Sequence, residues 1–136
     1  MEVVVETPKG SLIKYSLRGD TLKKEYASPL PNLFNYGFIP GTKAADGMEK
    51  DAIILGPKLR TGEKVKVNDV GVVRFMDDGL VDDKIVTSLD GRIGFFDKNR
   101  IHLFFTVYML FKSLRYLVHE RRLAKCGYLG LTLKCA

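Results

Sequence analysis

Four aspartates fall into two pairs with one spacing. Asp46 and Asp51 close the stretch NYGFIPGTKAADGMEKD, and Asp77 and Asp82 flank Gly79 in MDDGLVDDK. Each pair is separated by an odd number of positions, so a straight strand would point its two carboxylates to opposite faces. Gly47 lets the first stretch bend, which would bring both acids to one side, and Gly79 sits inside the second. Lys84 follows Asp82 by two positions, so on a strand these two share a face. Two chemistries are open. Asp and Gly are ordinary turn residues, and the acids would then simply be solvated. Alternatively, carboxylates from two turns would hold hard cations such as Mg²⁺, which bind through one or two carboxylates and are completed by waters and substrate phosphates. Lysines nearby would then meet phosphate oxygens as point charges.

The elements that must position these residues come from a chain of 136 residues, the size of one domain, read as a single unit over 1–136. Apolar residues make up 46%, enough for a core without staples. The formal net charge of +6 suits anionic partners: nucleic acid, membrane surface or small phosphorylated molecules. The densest basic clusters are Lys23-Lys24 and Arg121-Arg122, and no long basic run forms a nucleic-acid arm. Cys126 and Cys135 make neither a disulfide framework nor metal-finger spacing, which fits a reducing, cytoplasmic setting. The opening MEVVVETPKG does not read as a signal peptide. The most apolar run, IHLFFTVYMLF, has eleven residues where about 18 would suggest a span, so a buried helix and no membrane are expected. His102 and His119 stand without partner clusters and are assigned no role.

Val3–Val5 read as a strand, ended by Pro8 and Gly10. SLIKYSLR alternates, and Arg18-Gly19-Asp20 has turn composition. Pro29 and Pro31 mark irregular backbone. Ala52–Leu55 is a short strand, 57–62 a loop, and the valines from Val65 to Val73 supply one or two strands broken near Asn68-Asp69. A turn at 77–79 and a strand from Lys84 to Thr87 follow. Ile101, Phe104, Phe105, Tyr108, Phe111, Leu114 and Leu117 then recur at three and four, which predicts a helix capped by Asp97 and reaching Ala124. Leu129–Leu133 would be a final strand. Short strands with turns between them, closed by a helix, predict a β barrel or sandwich.

Several stretches together resemble the soluble (family I) inorganic pyrophosphatases: VVVETPKGSLIKY, LFNYGFIP, DGMEKD, VGVVRFMDDGLVDDK and FFTVY, in that order, covering roughly Glu2 to Tyr108. Spaced motifs in order are more specific than any one of them. The resemblance implies a mainly-β fold with flanking α, a five-stranded OB-like closed barrel with the long C-terminal helix packed against it. It implies Mg²⁺-dependent hydrolysis of inorganic pyrophosphate to two phosphates, with Mn²⁺ as an alternative ion. Carried over, Asp46, Asp51 and Asp82 resemble the ligands of the tightest metal site, Asp77 and Asp82 those of a bridging metal, and Glu6 the acid beside a metal arriving with substrate. Lys14 and Lys84 resemble phosphate contacts, Tyr36 a hydroxyl donor near the nucleophile, and Tyr108 a phosphate-binding tyrosine. Family members commonly form dimers or hexamers, so a homo-oligomer is implied here.

The departures fall on base and phosphate contacts more than on metal ligands. The signature's middle aspartate, which assists deprotonation of the attacking water, is Met48, with Glu49 beside it. Lys24 stands for a phosphate-binding arginine and loses its bidentate fork. The lysine after FFxxY is Met109, and the stretch RRLAKCGYLGLTLKCA does not follow the family pattern. Loss of a positioned base typically costs ~10²–10⁴-fold, so a slow enzyme is expected. The rivals are a homologue that binds metal and a phosphoanion without efficient turnover, and a nucleic-acid-binding barrel. The chain lacks tryptophan and concentrates its aromatics on the core helix, which disfavours the second.

Overall fold

The structure is a computed structural model that describes residues 1–18, 21–27, 31–45 and 47–134. Its strands are β1 (Glu2–Thr7), β2 (Ile13–Arg18), β3 (Thr21–Ala27), β4 (Asn35–Ile39), β5 (Lys50–Leu55), β6 (Lys64–Lys66), β7 (Asn68–Asp77), β8 (Leu80–Val81), β9 (Lys84–Ser88) and β10 (Gly127–Leu133). The helix α1 (Phe95–His119) lies between β9 and β10. The main sheet runs β10-β7-β9-β5-β4-β1-β6, with β8 added on β7; β2 and β3 form a separate ribbon. All neighbours are antiparallel except β5 and β9. The expected mainly-β class with a helix packed on the sheet holds.

Both faces of the central strands are covered, which explains why AIIL in β5 is apolar without alternation. Ile53 and Leu55 pack with Phe34, Tyr36, Val73, Phe75 and Val86 against Ile101, Phe104, Phe105 and Tyr108 of α1. Ala52 and Ile54 face the other way, into a smaller cluster with Val3, Val5, Ile39 and Val67. Gly37 is required where β4 meets β1: a Cβ there would lie 2.0 Å from the Val4 carbonyl oxygen.

The break expected near Asn68-Asp69 in the valine-rich stretch is present and falls at Val67, which is buried and donates its N–H to the Met1 carbonyl. Several expectations need correction. Gly94, not Asp97, caps α1; Asp97 sits in the first turn and accepts the Gly94 N–H at 3.0 Å. The helix ends at His119, short of Ala124, because Arg121 adopts φ 51° and turns the chain back so that Arg122 grips Asp78 through two hydrogen bonds. Only one side of α1 is buried; Leu103, Leu110, Leu114 and Leu117 are exposed. By length and composition α1 would also suffice to cross a membrane, since its apolar residues continue past the eleven-residue run. A core helix passes the same test. The expected turn at Gly19-Asp20, Pro29, Asp46 and Cys135 lie outside the described residues.

Candidate active site

The alternation that builds the α1-facing core also builds its rim. On β5, Asp51 shares a face with Ile53 and Leu55; on β9, Lys84 shares one with Val86; on β7, Asp77 continues the row of Val73 and Phe75. The parallel pairing of β5 with β9 sets Asp51 directly opposite Lys84. Lys84 is only 2% exposed, and its ammonium lies 2.7 Å from Asp51 Oδ2 and 2.8 Å from Asp82 Oδ1. A lysine so deeply covered is tolerated because it is paired on two sides. The turn that delivers Asp82 is pinned by its N–H donating to the Phe75 carbonyl and by the Phe75 N–H donating to Asp83 Oδ1.

A cleft of about 440 Å³ opens beside this cluster, lined by Glu6, Lys14, Tyr15, Ser16, Leu17, Glu25, Tyr36, Phe38, Met48, Glu49 and Asp51. One wall is the β2–β3 ribbon. It is fastened to β1 where Glu6 Oε2 accepts the Leu17 N–H at 2.7 Å and Thr7 Oγ1 bonds both the N–H and the carbonyl of Tyr15. Lys14 reaches from the ribbon over the cleft, its ammonium 5.2 Å from the centre of the Tyr36 ring; Lys84 lies 5.8 Å from the same ring. Tyr36 is aimed by its neighbour Asn35, whose buried side chain accepts the N–H groups of Lys9 and Leu59 and donates to the Pro57 carbonyl.

Burial and charge act on these groups in opposite directions. Burial pushes the Asp51 carboxyl up, but Lys84 and then Lys14 outweigh it and leave Asp51 below its ordinary range. Asp82 ends above its range: burial raises it, Lys84 counters, and the neighbouring Asp51 charge adds to the rise. Glu6 is also raised, by burial first and by Asp51, against the Leu17 N–H that lowers it. Burial and the charges of Asp51 and Asp82 hold the Tyr36 phenol well above its usual value. Its hydroxyl is buried near Asp51 yet makes no hydrogen bond of good geometry.

The sequence-derived residues therefore divide. Glu6, Lys14, Tyr36, Asp51, Asp82 and Lys84 are brought together, with Met48 and Glu49 lining the same cleft. Tyr108 joins Lys14, Tyr36 and Lys84 around a narrow crevice under α1. Lys24 is exposed on β3, across from Tyr15, and does not line the cleft. Asp77 is engaged elsewhere: it accepts the Tyr116 hydroxyl at 3.0 Å and pairs with Lys112 at 3.2 Å, with the Cys126 thiol 3.8 Å away. Among the described residues, no three His, Cys, Asp or Glu side chains already gather around one point. Where Asp51 and Asp82 converge, the Lys84 ammonium stands.

A profile of the inorganic pyrophosphatases matches residues 3–115. The chain belongs to the inorganic pyrophosphatase family. It is 34% identical over 91 residues to the inorganic pyrophosphatase of Gluconobacter oxydans, covering 63% of this chain and 53% of that one. With that of Haemophilus influenzae it shares 38% over 91 residues, 63% of this chain and 52% of the other. The chain thus spans about half the length of the curated relatives it matches. Among solved structures, an inorganic pyrophosphatase from Neisseria gonorrhoeae superimposes with a TM-score of 0.79 at 26% identity, over 98% of this chain and 82% of that one. For a pyrophosphatase-family chain, the residues that sequence reasoning missed are Lys112 and Tyr116. Their one visible signal is a polar pair four apart on the helix, with Lys112 one turn beyond Tyr108.

Proposed function

We propose that this chain hydrolyses inorganic pyrophosphate to two orthophosphates with Mg²⁺, Mn²⁺ being the alternative ion. The observation that carries the reading is the buried Lys84 bridged between Asp51 and Asp82 at the mouth of a cleft that also holds Glu6, Lys14 and Tyr36. The donor set fits a hard cation. Its carboxylates are partly desolvated, burial holds Glu6 and Asp82 above their ordinary range, and the buried Tyr36 hydroxyl near Asp51 makes no hydrogen bond of good geometry. Asp51 and Asp82, with Asp46 by resemblance, would hold the ion, and Glu6 would flank it; Asp77, held here by Lys112 and Tyr116, would serve a further ion by resemblance alone. Bound Mg²⁺ supplies a lowered pKa for water and neutralises charge on the phosphoryl group.

Lys84, Lys14 and Tyr108 receive the phosphate oxygens. Attack by water breaks the bond between phosphorus and the bridging oxygen, and the lysines stabilise the charge released on the departing phosphate. Tyr36 keeps its proton throughout and donates toward the attacking oxygen. Met48 offers no proton acceptor, so turnover is slow. The family resemblance also supports a cytoplasmic location and a dimer or hexamer. Phosphate release from pyrophosphate, with and without Mg²⁺ and beside Asp82→Ala, tests this reading. Release that needs Mg²⁺ and Asp82 supports it; none under any condition sinks it. The second reading, a homologue that binds pyrophosphate without efficient turnover, is favoured by Met48 on the cleft's lip.

A further inference from the structure

Asp77 stands apart from the Asp51–Lys84–Asp82 cluster, and what it holds is another lysine. Lys112 places its ammonium 3.2 Å from Asp77 Oδ2 and 5.7 Å from the centre of the Tyr108 ring. Its side chain is 17% exposed, low for a group that is rarely covered unless paired. The Lys14 ammonium lies 6.0 Å from the same Tyr108 ring and 5.2 Å from that of Tyr36, beside which Lys84 also sits. Three ammoniums and two phenol rings therefore alternate: Lys84, Tyr36, Lys14, Tyr108, Lys112. At each end of this row the lysine rests on aspartate, Asp51 and Asp82 at one end and Asp77 at the other.

Open space also lies beside Lys112. A pocket of about 470 Å³ is lined by Lys112, Arg115, Tyr116, His119, Glu120 and Glu25, the last of which also borders the cleft. Asp77 retains the Tyr116 hydroxyl as a donor when Lys112 turns away from it. A lysine on a flexible stem, parked on a carboxylate one helical turn from Tyr108, can reach toward an anion seated beside that ring at the cost of a few rotamer changes.

We propose that Lys112 is a further substrate-contacting residue of this site, turning from Asp77 to an oxygen of the phosphoanion beside Tyr108. The proposal rests on the pyrophosphate reading above. It makes the row of lysines one anion-binding device, with Lys112 supplying positive charge from α1 where position 109 is methionine.

The test compares Lys112→Gln, Lys112→Met and Lys112→Arg with the parent at saturating Mg²⁺. The readouts are KM and kcat for pyrophosphate and calorimetric binding of imidodiphosphate, a non-hydrolysable analogue. Lys112→Gln keeps a hydrogen bond to Asp77 but carries no charge, so a purely structural role survives it. The expected result is a rise of roughly tenfold in KM and in the analogue's Kd for Lys112→Gln and Lys112→Met. Lys112→Arg is expected to recover most of the loss. If Lys112→Met fails to fold, Lys112→Gln carries the same measurement. Parental KM and Kd in folded Lys112→Gln overturn the role of Lys112 and leave the pyrophosphate reading standing. A parent that neither hydrolyses pyrophosphate nor binds imidodiphosphate overturns both.

Discussion

At the scale of single residues, Lys84 shows how far spacing can be read and where it stops. Its shared face with Asp82 follows from period two, and the sequence shows it. Its place opposite Asp51 depends on a parallel pairing between strands about thirty residues apart in sequence, which no local pattern reveals. The partners of Asp77 were hidden differently: Lys112 and Tyr116 sit on an apolar helix, where polar residues read as its wet side. Met48 lines the cleft at 43% exposure, so replacing it disturbs little packing. Met48→Asp is expected to raise turnover by about tenfold or more, since a general base is worth ~10²–10⁴-fold and an introduced one is imperfectly placed. Phosphate release at saturating Mg²⁺ measures it. Should Met48→Asp bind metal and gain nothing while Glu49→Gln abolishes activity, the base is Glu49 instead. Tyr36→Phe separates function from folding. Its hydroxyl is buried without a good partner, and such a group costs about 1–3 kcal/mol. The variant is expected to gain up to about 1 kcal/mol in urea unfolding while turnover drops; a clear loss of stability would show the hydroxyl to be a structural tie.

At the scale of elements, the strands that alternate or carry β-branched runs were legible: β1, β2, β5, β9 and β10 lie where the pattern put them. Three strands were not, the two-residue β8 among them. Thr21–Ala27 is mostly exposed and charged, so nothing in its pattern marks a strand; it is one because β2 pairs with it along its length. Asn35–Ile39 carries Gly37 in its middle, a residue that ordinarily weakens a strand and so masks this one. The glycine is there for close approach: β1 and β4 come so near that only a hydrogen fits. Gly37→Ala is therefore expected to cost about 3 kcal/mol, the upper end for overpacking, because the atom in the way is backbone and cannot rotate aside. Chemical denaturation would register this. A variant as stable as the parent would mean that β1 and β4 separate freely, and that the position of Glu6 relative to Tyr36 is not fixed by this contact. The helix boundaries missed for tertiary reasons. Its start is set by Gly94, and its end by the pull of Arg122 on Asp78, neither of which periodicity encodes.

At the scale of the whole molecule, the net charge of +6 leaves two anionic partners in competition, a compact phosphoanion and a nucleic-acid strand. The fold separates them. Phe34, Phe75, Phe104 and Phe105 are spent on the core, and although Tyr15, Tyr36 and Phe38 line the cleft, they stand among Glu6, Glu25, Glu49 and Asp51, whose charges oppose a bare polyanion. Strand binding through many phosphates would weaken steeply with salt. Pyrophosphate binding should instead follow Mg²⁺, because the cleft's acids repel a bare anion. An ion held by the same acids would stabilise the native state: a ligand at 100 times its Kd adds about 2.7 kcal/mol by mass action. For a chain of this size that is a rise of several degrees in melting temperature. The expected series has a higher melting temperature in excess Mg²⁺ than in EDTA, and a shift that largely disappears in Asp51→Asn, since Asp51 is the acid whose charge the folded site best preserves. Pyrophosphate added with Mg²⁺ should raise it further, and a single-stranded oligonucleotide should not. Equal melting temperatures with Mg²⁺ and EDTA, together with tight and salt-sensitive oligonucleotide binding, would hand the basic surface to nucleic acid and reduce the aspartates to solvated turns.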